Sequence, residues 1–131
     1  MYNVYTDGAS RGNPGPSSCA FVIYQDKSIL MERAEFLGIG TNNQAEYMGI
    51  IRALETLTEM KAYDIVVFSD SELVVKQLNK AYQVKSQQLK ILYHQAQSLI
   101  PGLFPIQFQH IPRSQNSKAD ELCNKVLNQQ A

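Results

Sequence analysis

No run of apolar residues in this chain approaches the length of a membrane span, and the N-terminal MYNVYTDG has neither a basic start nor an apolar signal core. A membrane-spanning helix is thereby excluded and a cytoplasmic location expected. Charge of one sign is not in excess either: Lys plus Arg and Asp plus Glu both number 12. No global field draws the protein toward nucleic acid or an anionic membrane, so a polyanionic partner has to be held by local groups. There are only two cysteines, Cys19 and Cys123, and they lack metal or redox spacing. They read as reduced core thiols rather than a disulfide framework. Internal repeats, linkers and low-complexity stretches are also missing, and 131 residues suffice for one sizeable core but not two. A single domain, 1–131, and a monomer are expected.

With 44% hydrophobic and 18% charged residues the chain has the balance of a folded protein rather than a disordered one. Residues 2–6, 19–24 and 29–37 are rich in β-branched, aromatic and other apolar side chains and suggest an antiparallel meander. From Tyr47 the period changes. Tyr47, Ile50, Ile51, Leu54 and Leu57 form one stripe, with Arg52, Glu55, Thr56 and Glu59 opposite, which predicts an amphipathic helix. The run IVVFS, 65–69, reads as a strand buried on both faces. Helices over 73–78 and 89–99, a strand over 104–111 and a final helix around Ala119, Leu122, Cys123, Val126 and Leu127 complete the order βββαβααβα. A right-handed helical crossover would make IVVFS parallel to its neighbour, most simply the first strand.

Asp7 and Asp70 each follow such a strand, where open α/β sheets gather their ligands. If the strands are parallel neighbours, the two carboxylates repel unless a cation lies between them. Glu46 falls one turn before Ile50, and Asp120 one turn before Cys123, so both face the sheet from helices. Each acid has an ordinary reading as well. Asp7 can be an Asp-Gly turn residue, Asp70 a first-turn acid, and Glu46 the third residue of a capping box begun by Asn43. Ser69-Asp70-Ser71-Glu72 fits a Ser-x-x-Glu capping box, which favours capping for Glu72, and Glu121 is spaced to pair with Lys125. Four acids converging on one sheet edge offer the all-oxygen surroundings that hard divalent cations prefer, and two such ions can clamp a phosphodiester.

Taken in order, YTDGASRGNPGP, TNNQAEYMGIIRAL, SDSELV and IPRSQNSKADELCN resemble the four acidic motifs of type 1 ribonuclease H, over nearly the whole chain. The resemblance is to a compact form without the basic protrusion. It implies an α/β RNase H-like fold, a five-stranded mixed sheet flanked by α-helices, and hydrolysis of the RNA strand of RNA·DNA hybrids to 5′-phosphate and 3′-hydroxyl ends. It further implies that Asp7, Glu46, Asp70 and Asp120 are the catalytic, metal-binding acids. They would hold two Mg²⁺ ions, roughly 3.5–4 Å apart in sites of this kind, with Mn²⁺ as a possible substitute. The same resemblance puts Asn13 and Asn43 against the hybrid's minor groove and Thr41 near a DNA phosphate. Short amides and hydroxyls suit 2′-hydroxyl testing in an A-like groove.

The chain departs from the family in two places. A histidine common in the loop between the last strand and last helix is missing from 112–115, where Arg113 can serve as a phosphate-binding residue or be a plain surface arginine. His110 alternates with Phe104, Ile106 and Phe108 and so reads as a core-edge residue. His94 reads as solvated. In place of a basic insertion there are only Lys76, Lys80, Lys85 and Lys90, flanking the substrate or forming a solvated face. Two alternatives share the fold: another polynucleotidyl transferase, such as a transposase, integrase or junction resolvase, and a nucleic-acid-binding module with weak or no hybrid cleavage.

Overall fold

β-branched and aromatic residues dominate the first part of the chain, and they form an antiparallel meander of β1 (Tyr2–Ser10), β2 (Gly15–Gln25) and β3 (Ser28–Gly40). The computed structural model describes residues 1–130. A long helix, α1 (Asn42–Glu59), then leads into β4 (Ile65–Ser69), followed by α2 (Glu72–Leu78), α3 (Gln87–Leu99), β5 (Ile106–His110) and α4 (Ser117–Gln129). The sheet has five strands in the order β3-β2-β1-β4-β5. β4 is parallel to both β1 and β5, so the sheet is mixed. Architecture, element order and the pairing of IVVFS with the first strand agree with the expectation from sequence.

Strand limits differ in an instructive way. β1 runs past Thr6 to Ser10, and β2 begins at Gly15, although Gly, Ser and Pro are poor strand formers. Cross-strand pairing overrides propensity here, from Gly8↔Cys19 to Ser10↔Ser17, and the Arg11 N–H donates to the Pro16 carbonyl at 2.8 Å to close the hairpin. Gly12 turns the chain with φ 108°, a left-handed conformation that suits glycine. At the other end β5 is shorter than the apolar pattern implied. Phe104 lies outside it and is 76% exposed.

The stripe of α1 is buried as expected: Tyr47, Ile50, Ile51, Leu54 and Leu57 pack with Val4, Phe21, Ile23 and Val67 of the sheet. α4 covers the opposite face, where the Ser18 hydroxyl donates to the Cys123 carbonyl at 2.9 Å. Cys19 and Cys123 are buried free thiols, and burial pushes Cys19 up to about 12. Among the described residues no helix is long and apolar enough to cross a membrane.

α1 and β1 touch backbone to backbone. A Cβ on Gly8 would lie 2.2 Å from the Ala45 carbonyl carbon, and one on Gly49 would lie 2.6 Å from the Asp7 carbonyl oxygen. Two opposing effects meet at Gly49, because alanine in mid-helix gains about 1 kcal/mol over glycine. Overpacking costs about 1–3 kcal/mol, and at Gly49 the clash is with backbone that cannot rotate away. Gly49→Ala is therefore expected to lower the urea midpoint of unfolding. A midpoint equal to or above that of the unmodified protein would show that the approach is looser than described.

Candidate metal centre

β1 and β4 pair in parallel only as far as Thr6↔Ser69, and the next residue of each is an aspartate. Asp7 continues in the sheet opposite Ala20, while Asp70 leaves it for α2. The parallel register thus sets the two carboxylates side by side. The third comes from α1: because Gly8 has no side chain, the Ala45–Glu46 backbone settles onto β1. Asp7, Glu46 and Asp70 each offer an oxygen within 4.8 Å of the others. Asp7 is 4% and Glu46 8% exposed, so water does little to screen them.

Burial, then the negative charge of Asp70, raises the Asp7 carboxyl to about 7, although a hydrogen bond with Glu46 partly opposes the rise. Burial and the charges of Asp7 and Asp70 push Glu46 well above the usual carboxylate range. Glu46 Oε1 is buried without a hydrogen-bond partner. Such an all-oxygen donor set, crowded with negative charge and holding an orphaned oxygen, fits a hard divalent cation. Asp120, the fourth expected ligand, lies outside this tight cluster. It is close enough to raise Asp7 further, and it faces Arg113 with Nη2 at 3.6 Å from Oδ1.

Several local assignments change. The N-cap of α1 is Thr41, whose hydroxyl accepts from the Gln44 N–H while the Gln44 side chain accepts from Thr41 N–H. That box is complete without Asn43, which removes the capping reading of Glu46. Ser71 rather than Ser69 caps α2, accepting from Val74 N–H. Glu72 is then the first helical residue and pairs with Lys76 at 2.8 Å, one turn on. The core-edge reading of His110 is also corrected: it is exposed, as are Gln107 and Gln109, because β5 is an edge strand that buries Phe108 alone. Among the described residues Glu121 and Lys125 form no ion pair; Lys118 pairs with Glu32 instead, at 3.0 Å. His94 is exposed, as expected.

Asn13 lies against the start of α1, and Asn43 is in the first turn of that helix. The Asn13 side-chain oxygen accepts from Asn42 N–H at 3.1 Å, and the Asn42 side chain accepts from Ser10 N–H at 2.9 Å. Asn42, which sequence reasoning passed over, therefore ties the glycine-rich loop to the start of α1. Asn116 was also missed. Four residues before Asp120 it looks like a helix cap, yet it makes no capping bond. It is 1% exposed, and its amide donates to the Thr6 carbonyl at 2.9 Å and to Asp70 Oδ2 at 3.1 Å. No sequence pattern distinguishes such a strut from a cap.

The sequence matches the family described as reverse transcriptase-like over residues 5–126. Ribonuclease HI of Halobacterium salinarum is 40% identical over 126 residues, which are 95% of this chain and 63% of that protein. The crystal structure of RNase H1 from the same archaeon superposes with a TM-score of 0.94 at 39% identity, covering 98% of both chains. The chain belongs to the type 1 ribonuclease H family. Another family member, LC11-RNase H1, solved in complex with an RNA/DNA hybrid, has a TM-score of 0.90 at 40% identity and covers 95% of both chains. This family member is compact: only residues 79–86 separate α2 from α3. It spans less than two thirds of the Halobacterium protein's length.

The raised Asp7 and Glu46 carboxyls give the metal-free protein a pH dependence of defined sign. A folded-state value above the unfolded one adds stability that is complete below about 3.8 and is lost as pH rises through about 7. In chelator, the melting temperature is expected to fall between pH 5.5 and 8, and saturating divalent metal should remove that fall. The same slope in Asp7→Asn would refute the assignment. Asn116→Ala removes a buried donor from the Thr6 carbonyl and from Asp70. Loss of about 1–3 kcal/mol of stability is expected, together with weaker metal-induced thermal stabilisation. A variant with an unchanged metal response would show that Asn116 does not hold Asp70 in place.

Proposed function

We propose that this chain is a Mg²⁺-dependent endoribonuclease that hydrolyses the RNA strand of RNA·DNA hybrids, leaving 5′-phosphate and 3′-hydroxyl ends. The observation that carries the proposal is the convergence of Asp7, Glu46 and Asp70, largely buried, with oxygens within 4.8 Å. Left uncompensated, such a cluster destabilises the fold, so a bound divalent cation is the natural reason for it. The hybrid-bound LC11 relative and the name of the Halobacterium relative support the substrate.

In this reading Asp7, Glu46 and Asp70 hold metal, and Asp120 completes the set from α4. Two bound Mg²⁺ ions would lower the pKa of an attacking water and offset charge on the departing 3′ oxygen. The protein's own part is positional. β1 and β4 fix two carboxylates by strand register, α1 fixes the third by backbone contact, and Asn116 holds Asp70 through one oxygen. Asp120, less buried and paired with Arg113, is the acid best placed to exchange partners during a cycle. Asn13, Asn43 and Thr41 would meet the minor groove and a DNA phosphate beside the acids, and Arg113 would meet a phosphate on the α4 side.

Cleavage of end-labelled hybrid in Mg²⁺ tests this. A 5′-phosphate product is expected, and a 2′,3′-cyclic phosphate would exclude the mechanism. Asp70→Asn keeps the side chain's size and removes its charge. Its activity is expected to fall by about 10³-fold or more, the scale of losing one electrostatic catalytic group. Its metal-free stability should hold or rise as repulsion is relieved. Cleavage near the original rate by Asp70→Asn would remove Asp70 from the metal site.

A further inference from the structure

The start of α4 carries two sets of polar groups that the metal centre does not use. Asn116 is 1% exposed, and its amide nitrogen is spent on the Thr6 carbonyl and Asp70, yet its Oδ1 is buried with no hydrogen-bond partner. An unpaired buried acceptor is costly, so a donor that reaches it gains more than it would at the surface. No side chain caps α4 either. Its ladder begins with Asp120 N–H donating to the Asn116 carbonyl at 3.1 Å. The N–H groups of Ser117 and Lys118 therefore stand without intrahelical partners at the positive end of a 13-residue helix.

Both sets border one cavity, and the path of α4 explains why it is open. Strand alternation turns Val4 toward α1 and Tyr5 toward the α4 face of the sheet. α4 starts level with Thr6 and runs toward the glycine-rich hairpin, where the Cys123 carbonyl accepts from Ser18 and the Asn128 side chain from Arg11. The sheet face around Tyr5 is left without a helix over it. A cavity of about 430 Å³ lies there, with Tyr5, Tyr24, Lys27, Asn116, Ser117 and Lys118 in its wall. Tyr5 stacks on Phe68 with ring centroids 4.8 Å apart and meets Tyr24 edge-on at 5.6 Å, so the rings form a fixed aromatic wall. Lys118 is held by Glu32 at 3.0 Å, whereas Lys27 forms no ion pair among the described residues. Against these two lysines the wall has one acid, Asp26.

We propose that this cavity binds a single 5′-nucleotide, apart from the acids that hold metal. Phosphate suits the uncapped start of α4 beside Lys118. A pentose hydroxyl can donate to Asn116 Oδ1, and the base packs on the wall of Tyr5 and Tyr24, with Lys27 at the exposed rim. An aromatic wall with a few convergent polar groups, in this volume, is of a size for one nucleotide and not for a duplex. An amide is one plane, so a donor at Oδ1 fixes the same group whose nitrogen holds Asp70, and polarises that bond. Occupancy is thereby felt at the metal centre, and reciprocally. The inference goes beyond hybrid cleavage and does not depend on it.

The test titrates adenosine 5′-monophosphate into the metal-free protein, read by calorimetry and by the Asn116 side-chain amide signals in NMR. A Kd of about 1 mM or tighter is expected, with adenosine and inorganic phosphate each about tenfold weaker or more. The Asn116 amide signals should shift on binding. Tyr24→Ala and Lys27→Ala should each weaken binding by about fivefold or more, while cleaving hybrid in the absence of nucleotide as the unmodified protein does. Lys27 is exposed in the β2–β3 turn, so its loss tests binding with the fold intact. A 5′-phosphorylated trinucleotide separates the two sources of such a ligand: binding equal to the monophosphate assigns the cavity to the 5′ end of RNA, and much weaker binding assigns it to free nucleotide. No binding at about 10 mM, or equal binding by both variants, overturns the proposal. Inorganic phosphate binding as tightly as the nucleotide also overturns it, leaving an anion at the helix start only. So does an Asn116 amide signal that stays in place, which makes an internal water the partner of Oδ1. If the unmodified protein fails to cut hybrid, the cleavage reading fails while these binding comparisons still decide the cavity.

Discussion

Mutual repulsion among three close carboxylates, two of them buried, is the constraint to which much of this fold answers. Nothing in the apolar core needs Asp7, Glu46 and Asp70 together, and their charges oppose burial. They are held by features that would be hard to rearrange singly: the parallel register of β1 and β4, and the backbone contact of α1 on Gly8. Strand register is quantised, since a one-residue slip would turn every side chain to the other face. The acids therefore cannot relax apart by small adjustments, and the strain falls on their protonation instead.

That arrangement also explains why glycine recurs where α1 crosses β1. Gly8 sits in the strand and Gly49 in the helix, and each occupies space where any side chain would strike the partner's backbone. Packing and site geometry are one problem here. The same close crossing that buries Ile50 and Leu54 delivers Glu46 to the aspartates.

Much of this was legible in the sequence because the signals were periodic or local. The α1 stripe, the IVVFS strand and the order of elements follow from hydrophobic spacing, and the family resemblance named the acids without reference to distance. Strand ends were less legible, since Gly8, Ala9 and Ser10 are drawn into β1 by pairing with β2 rather than by their own preference. His110 was misplaced because alternation shows which residues share a face, not whether that face is covered; β5 at the sheet edge leaves it open. Caps slipped by two residues at both α1 and α2, where several Ser, Thr and Asn side chains compete for the same N–H groups. Asn116 lay beyond reach altogether, since its partners Thr6 and Asp70 are distant in sequence and its role exists only after folding.

The tie from Asn13 through Asn42 to Ser10 joins a glycine-rich loop to a helix start using neutral amides alone. In the proposed reading Asn13, and Asn43 next to Asn42 in the chain, face the groove where ribose and deoxyribose differ. Neutral contacts displace no counterions, so their strength is nearly indifferent to ionic strength, whereas attraction to phosphate fades as salt is added. Affinity and discrimination are thereby assigned to different chemistries within one small surface. As ionic strength rises, the chain should hold any nucleic acid less tightly while still telling hybrid from DNA duplex about as well as before.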